Sequence, residues 1–321
     1  MPQTGEPAEA RDPVVVIGDA RVQELLDRGG RSRTRSVGGP GANIAGNLAL
    51  LGVPCVLLAS LGRDAAGRRV RETLEELGVE VLASASRHGT GRAASMAGPA
   101  GVSTVYDRAC RDRAVAFDEA QRERIDRAPL VIVSGFPFDR PGQHRRLLDA
   151  VAQPQNRLVL DPNPRAGLLR DAEAFRRNAG RHASSALLVH LSERDAPLLA
   201  PAPAQGAPTS AERLLAAGAA HVLASAGPGP ARWLGRSGID VALPAPRLPG
   251  PVVDPLGAGD ALVAAVAAGL LRTPRPLWPQ RARSILAAAM SLAGATVRQR
   301  GPCLQDADEL PVPARGLLGR R

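Results

Sequence analysis

Apolar residues in this chain recur as short unbroken runs, each closed by a glycine or a polar side chain. The first is Val14-Val15-Val16-Ile17 before Gly18, and similar runs occupy 56–59, 130–133, 158–160, 186–189 and 221–224. A strand covered on both faces reads as continuous in this way, whereas a half-exposed strand alternates. Between the runs, residues 41–51, 65–77, 140–152, 166–179 and 209–217 carry their apolar positions at helical spacing. The stretch 257–298 reads as helix throughout, interrupted by the proline-rich 274–279. Strands alternating with helices predict parallel βαβ units and an α/β fold, a doubly wound, mostly parallel sheet flanked by helices.

Two stretches break this rhythm. Residues 79–107 hold short alternating segments around Gly98-Pro99-Ala100-Gly101, the pattern of a β-hairpin. Residues 19–37 are polar and arginine-rich and read as a short helix or a ragged lid. Residues 1–12 read as a flexible polar tail and the Ala/Pro stretch 200–208 as a loop. The expected organisation is therefore one domain over 13–321, with small β lid elements near 19–37 and 88–108 able to cover a cleft.

Composition narrows the chemistry. All 41 basic residues are arginine, and the absence of lysine excludes a Gly-Lys-Ser/Thr phosphate loop and Schiff-base catalysis. The net charge of +10 raises nucleic acid as a partner, but the arginines are scattered and aromatics make up 2% of the chain, too few to stack bases. Positive potential instead suits a small anionic ligand. Cys55, Cys110 and Cys303 are too widely spaced for a metal knuckle and read as small buried apolar groups in a reducing compartment. The five histidines share no ligand spacing. No leader pattern opens the chain, and the longest apolar stretch, 261–271, is too short to span a bilayer, so a cytoplasmic protein with no membrane partner is expected.

Four motifs carry candidate chemistry. Gly38-Gly39-Pro40-Gly41-Ala42-Asn43 enters a helix; glycines admit close backbone approach and Asn43 offers both donor and acceptor atoms. Leu61-Gly62-Arg63-Asp64 reads as a strand end, a turn and a helix cap. Asp161-Pro162-Asn163-Pro164-Arg165 closes a predicted strand at the sheet edge where α/β proteins bind ligands, although a capped loop explains it equally well. In Asp254-Pro255-Leu256-Gly257-Ala258-Gly259-Asp260, free helix N-terminal amides form a nest for phosphate oxygens, and Asp260 could take a proton from a hydroxyl over the same turn. Alone, Asp260 is most simply a first-turn carboxylate favoured by the helix dipole.

Taken together, in this order and separation, the motifs resemble the ribokinase-like pfkB family of carbohydrate kinases over about 14–310. The resemblance implies ATP-dependent phosphorylation of a sugar or nucleoside hydroxyl with Mg²⁺, and leaves a monovalent cation and a homodimer open. It implies Asp260 as general base with Gly257, Ala258 and Gly259 as the anion hole, and Gly39, Asn43 and the Gln23 position on the acceptor. Arg108 is implied to reach in from the lid, Ser225, Gly227 and Asp254 to lie along the nucleotide, and Asp195 to serve the metal. The chain departs from the family at three positions: Gln23 stands where the family has Asp, Ser192 where it has Asn, and Pro255 where it has Thr. The segment leading to Gly38 is also shorter than the family's, so a reduced lid is expected, and this with Gln23 and Ser192 motivates a second expectation, a non-catalytic sugar- or nucleotide-binding paralogue.

Overall fold

The computed structural model describes residues 12–27, 29–98, 101–152, 157–199, 209–254, 256–301 and 310–317. The expected tail, the loop at 200–208, Pro99, Ala100, Pro255 and Cys303 lie outside them, but for Asp12 at the tail's end.

The chain order is β1 (Val14–Gly18), β2 (Arg21–Leu26), β3 (Ser32–Gly38), α1 (Pro40–Leu50), β4 (Cys55–Leu61), α2 (Ala65–Glu76) and β5 (Val79–Ala85). Then follow β6 (Arg92–Gly98), β7 (Gly101–Tyr106), α3 (Arg108–Arg111), α4 (Glu119–Arg127), β8 (Val131–Ser134), α5 (Pro141–Ala150), β9 (Leu158–Asp161), α6 (Ala172–Ala183) and β10 (Leu188–Ser192). The last third holds α7 (Ala196–Leu199), α8 (Ser210–Ala217), β11 (His221–Ser225), β12 (Ala231–Gly235), β13 (Asp240–Leu243), α9 (Ala258–Arg272), α10 (Trp278–Thr296) and α11 (Val312–Arg315).

Nine strands form the main sheet in the order β13-β12-β11-β10-β9-β8-β1-β4-β5. Every pairing from β11 to β5 is parallel, and β12 and β13 add antiparallel to the β11 edge. The unbroken apolar runs are explained by burial on both faces. In β1, Val14 and Val16 point into the core beneath α1 and α9, while Val15 and Ile17 point into the opposite core with Ile125, Leu147 and Phe175. Strand order reverses between β1 and β8, so their carboxyl ends, at Gly18 and Ser134, flank the crevice where open α/β sheets bind ligands.

Three expectations change. Residues 19–37 form neither a short helix nor a ragged segment; they are an antiparallel strand pair, β2 and β3. The 79–107 stretch divides: β5 joins the edge of the main sheet in parallel with β4, and only β6 and β7 pair as a hairpin. The expected helix at 166–179 starts late, at Ala172, where Asp171 caps it through the Ala174 amide at 2.9 Å. The four lid strands, in the order β3-β2-β6-β7, form a separate small sheet. Its inner face is tied to the main body where Tyr106 meets the backbone of Gly167.

Candidate active site

Helix α9 starts at a tight turn. Gly257 adopts the left-handed conformation (φ 85°), which an L side chain rarely takes, and no side chain caps the helix. The first-turn amides of Ala258, Gly259 and Asp260 therefore retain their donors at the positive end of the helix dipole. Asp260 stands on that first turn and is buried.

Its partner comes from the other end of the chain. Helix α1 begins at Gly39, also at positive φ, where a Cβ would strike the backbone of Asp19. One turn in, the buried Asn43 donates its Nδ2 to Asp260 Oδ2 at 2.6 Å across 217 residues of sequence. The glycine motifs that the sequence singled out are thus brought into direct contact.

The electrostatics of Asp260 follow from its neighbours. Burial disfavours the charged carboxylate, and the negative charge of Asp161 adds to it. The Asn43 hydrogen bond and the positive charges of Arg165 and His190 oppose them, and the balance carries Asp260 up to about 7. A carboxyl group poised there exchanges protons readily near neutral pH.

A second layer lies behind this pair. Asp161, at the carboxyl end of β9, accepts hydrogen bonds from Ser134 Oγ at 2.6 Å and Asn163 Nδ2 at 3.2 Å. Its Oδ1 lies 2.9 Å from His190 Nδ1, and His190 Nε2 lies 3.0 Å from Ser225 Oγ. Burial alone would raise Asp161, but the bond and charge of His190 hold it below the usual carboxylate range. Asp161 and Arg165 were visible as a motif whose loop reading stood equal to its site reading. Nothing local in the sequence marks His190 as a site residue; the available signal is its place in the predicted strand that follows the one ending in Asp161.

The remaining candidates are placed as follows. Ser225 ends β11, half-buried, and Gly227 lies at positive φ in the turn after it. Asp254 is buried and accepts the Leu256 amide at 3.0 Å, which shapes the approach to α9. Asp195 is buried and raised above the usual range by that burial and by Asp161, against the pull of Arg165, whose Nη1 stands 3.5 Å away. Among the described residues, no group of three or more His, Cys, Asp or Glu is placed to hold a metal ion. Asp195 offers a single incompletely neutralised carboxylate, which suits Mg²⁺ shared with substrate phosphates and water rather than an all-protein cage.

Gln23 and Arg108 are not joined to Asp260 by any described contact. Gln23 is buried within the lid sheet, where its amide donates to Ser95 Oγ at 2.8 Å, and Ser95 in turn lies 2.7 Å from Thr104 Oγ1. The buried pair Asp19–Arg21 lies beside it, with the Arg21 guanidinium 5.3 Å from the centre of the Tyr106 ring. Arg108 is 76% exposed and reaches Asp112, which also draws His88, Arg140 and Arg170.

Comparison with known proteins agrees with this architecture. The family model for pfkB family carbohydrate kinases matches residues 13–309. A fructokinase from Xylella fastidiosa with bound ATP superposes with a TM-score of 0.77 at 19% identity, covering 96% of this chain and 98% of that one. An uncharacterized sugar kinase from Pyrococcus horikoshii in complex with ATP gives 0.75 at 21% identity, covering 95% and 100%. Adenosine kinase from Schistosoma mansoni in complex with 2-fluoroadenosine gives 0.77 at 14% identity, covering 93% and 99%. No curated protein matches the sequence.

Proposed function

Because this chain belongs to the pfkB family of carbohydrate kinases, we propose that it transfers the γ-phosphoryl group of ATP to a hydroxyl of a sugar or nucleoside, with Asp260 as general base. The observation that carries the reading is the Asn43–Asp260 contact: it sets a carboxylate with a pKa of about 7 beside the uncapped amides of α9. In its ionised form Asp260 accepts the acceptor's proton as that oxygen attacks the γ-phosphorus. The bond from the γ-phosphorus to the bridging oxygen breaks, and ADP leaves.

Charge on the transferring group is the main barrier to such a step. The Gly257–Gly259 turn and the first-turn amides of α9 lie at the positive end of the helix dipole, where they would hold the transferring group with little reorganisation. With no lysine in the chain, arginine and backbone donors must carry the protein's share of neutralisation. Mg²⁺, held by Asp195, would supply positive charge to the nucleotide phosphates when bound. Asn43 and the glycine turn at Gly39 are assigned to the acceptor's hydroxyls, and Ser225, Gly227 and Asp254 to the nucleotide side. The lid sheet would close over the acceptor with Gln23 and the Asp19–Arg21 pair on its inner face.

The test is transfer of labelled γ-phosphate to a panel of sugars, sugar phosphates and nucleosides, comparing wild type with Asp260→Asn. The expected loss in kcat is about 10²–10⁴-fold, the usual range for a positioned base. An Asp260→Asn enzyme as fast as wild type on the true acceptor removes Asp260 from this role. The engagement of Gln23 by Ser95 favours a second reading, a ligand-binding paralogue without turnover. Nucleotide binding without transfer to any member of the panel is the result that supports it.

A further inference from the structure

One buried group that the proposed chemistry leaves unused is His190. It lies on β10 between two neighbours in the sheet, with Asp161 on β9 at one ring nitrogen and Ser225 on β11 at the other. Its Cε1, the ring atom between the two nitrogens, lies 3.3 Å from the position a Cβ would occupy on Gly259. One imidazole thus bonds the serine at its side and the acid behind it, and stands beside the nest at Gly259. The side chain is 2% exposed, so water does not satisfy its nitrogens.

We infer that His190 is a positioning residue for the nucleotide phosphates, linking Asp161 to Ser225 so that the serine hydroxyl points its hydrogen at the anion facing Gly257–Gly259. The inference rests on the kinase reading above. Nδ1–H is consumed by Asp161, an acceptor-only group when ionised. If Nε2 also carries a proton it donates to Ser225 Oγ, and the serine hydrogen is released toward a ligand. If Nε2 is bare it accepts that hydrogen, and only the lone pairs of Ser225, which repel phosphate, face the ligand. The charged ring therefore sets the serine as a donor and places positive charge behind the nest of a chain without lysine.

The surroundings favour the charged form. Burial pushes the imidazole toward neutrality, but the Asp161 hydrogen bond and the charges of Asp161, Asp195 and Asp260 outweigh it and hold its pKa above the ordinary value. Arg165 brings positive charge to Asp195 and Asp260, two of the carboxylates that raise His190. Phosphate binding dependent on His190 is thus strongest on the acid side and lost as pH rises through the raised pKa.

Binding of ATP with Mg²⁺ by calorimetry tests this without knowledge of the acceptor. All proteins carry Asp260→Asn, which slows turnover and removes a second group that titrates near neutral pH; it also removes one of the carboxylates that raise His190, so the transition is expected at a lower pH than in wild type. Against that background His190→Gln, Ser225→Ala and the double substitution are compared from pH about 6.5 to about 9, with thermal melts to verify folding. Each single substitution is expected to weaken ATP binding about tenfold at neutral pH, the usual scale of a charge-assisted hydrogen bond. The double variant should lose no more than either single one, since both break one link. The background protein should bind more weakly as pH rises, and the His190→Gln protein should show a flat profile.

Equal affinity in all variants, or losses that multiply in the double variant, overturns the inference and leaves the kinase reading intact. Absence of ATP binding in the parent protein removes both. If His190→Gln does not fold, Ser225→Ala alone decides: unchanged affinity refutes the link.

Discussion

At the scale of single residues, the proposed role of Asp260 would tie stability to activity through its ionisation. An acid whose folded pKa lies above its unfolded value binds extra protons when folded, so stability falls as pH rises from about 4 through about 7. Above that window the buried carboxylate costs the fold up to roughly 4 kcal/mol, reckoned at about 1.4 per pH unit. Asp260→Asn is isosteric and can still accept from Asn43. It is expected to melt several degrees higher than wild type at pH about 8, and to lose that advantage near pH about 4. The proposed catalytic role makes the opposite demand, because a general base acts only when ionised. The kcat/KM of wild type is therefore expected to rise with pH through about 7, and a pH–rate profile flat across that range would contradict the assignment. Asp260 and Asn43 were legible because each stands in a local glycine-rich signature. The chemistry of Asp161 was legible only as a motif, and His190 was hidden inside an apolar run.

At the scale of elements, the site depends on how closely α1 approaches β1. A Cβ on Gly41 would stand 2.8 Å from the carbonyl carbon of Gly18, and one on Gly18 would collide with the Ser134 carbonyl. Backbone lies on both sides of the contact, so neither can yield cheaply. Gly41→Ala is expected to destabilise by about 1–3 kcal/mol, lowering Tm by several degrees, and to cut activity by moving Asn43 on the same helix. Gly142→Ala is the matched control. It also lies in a helix, α5, but a Cβ there meets nothing within 4 Å. That change should stabilise by about 0.4–1 kcal/mol through the unfolded chain. Thermal melts of the two proteins check the opposite signs. Strand β2 shows why 19–37 carries no strand pattern. Arg21, Val22 and Gln23 are all buried, because the inner lid face is polar and covered. A strand with buried polar residues on one face lacks the alternation from which strands are recognised.

At the scale of the molecule, the lid and the main sheet share one chain path, with β1 leading directly into β2 and β3 into α1. We propose that they fold as one unit, and the tryptophans offer a test. Trp233 on β12 and Trp278 at the start of α10 are both buried and flank the His221 ring, at 6.0 and 5.5 Å between centroids. Their fluorescence reports the edge of the sheet far along the chain from the lid, whereas circular dichroism reports every element. The two melting curves should coincide. A separate early transition in one probe would divide the chain into independent units.

The sequence by itself determined the alternation of strands and helices and the two glycine turns. Each of these is a local matter, since burial on both faces makes an apolar run and a positive φ requires glycine. It also placed an acid on the first turn of α9. The tertiary structure alone decided what that acid meets. Sheet order sets β9, β10 and β11 side by side, which brings Asp161 to His190 over 29 residues and His190 to Ser225 over 35. The contact of α1 with α9 brings Asn43 to Asp260 over 217. Such meetings depend on which strands become neighbours, and strand neighbourhood is fixed by burying two cores at once rather than by any pattern within a single run.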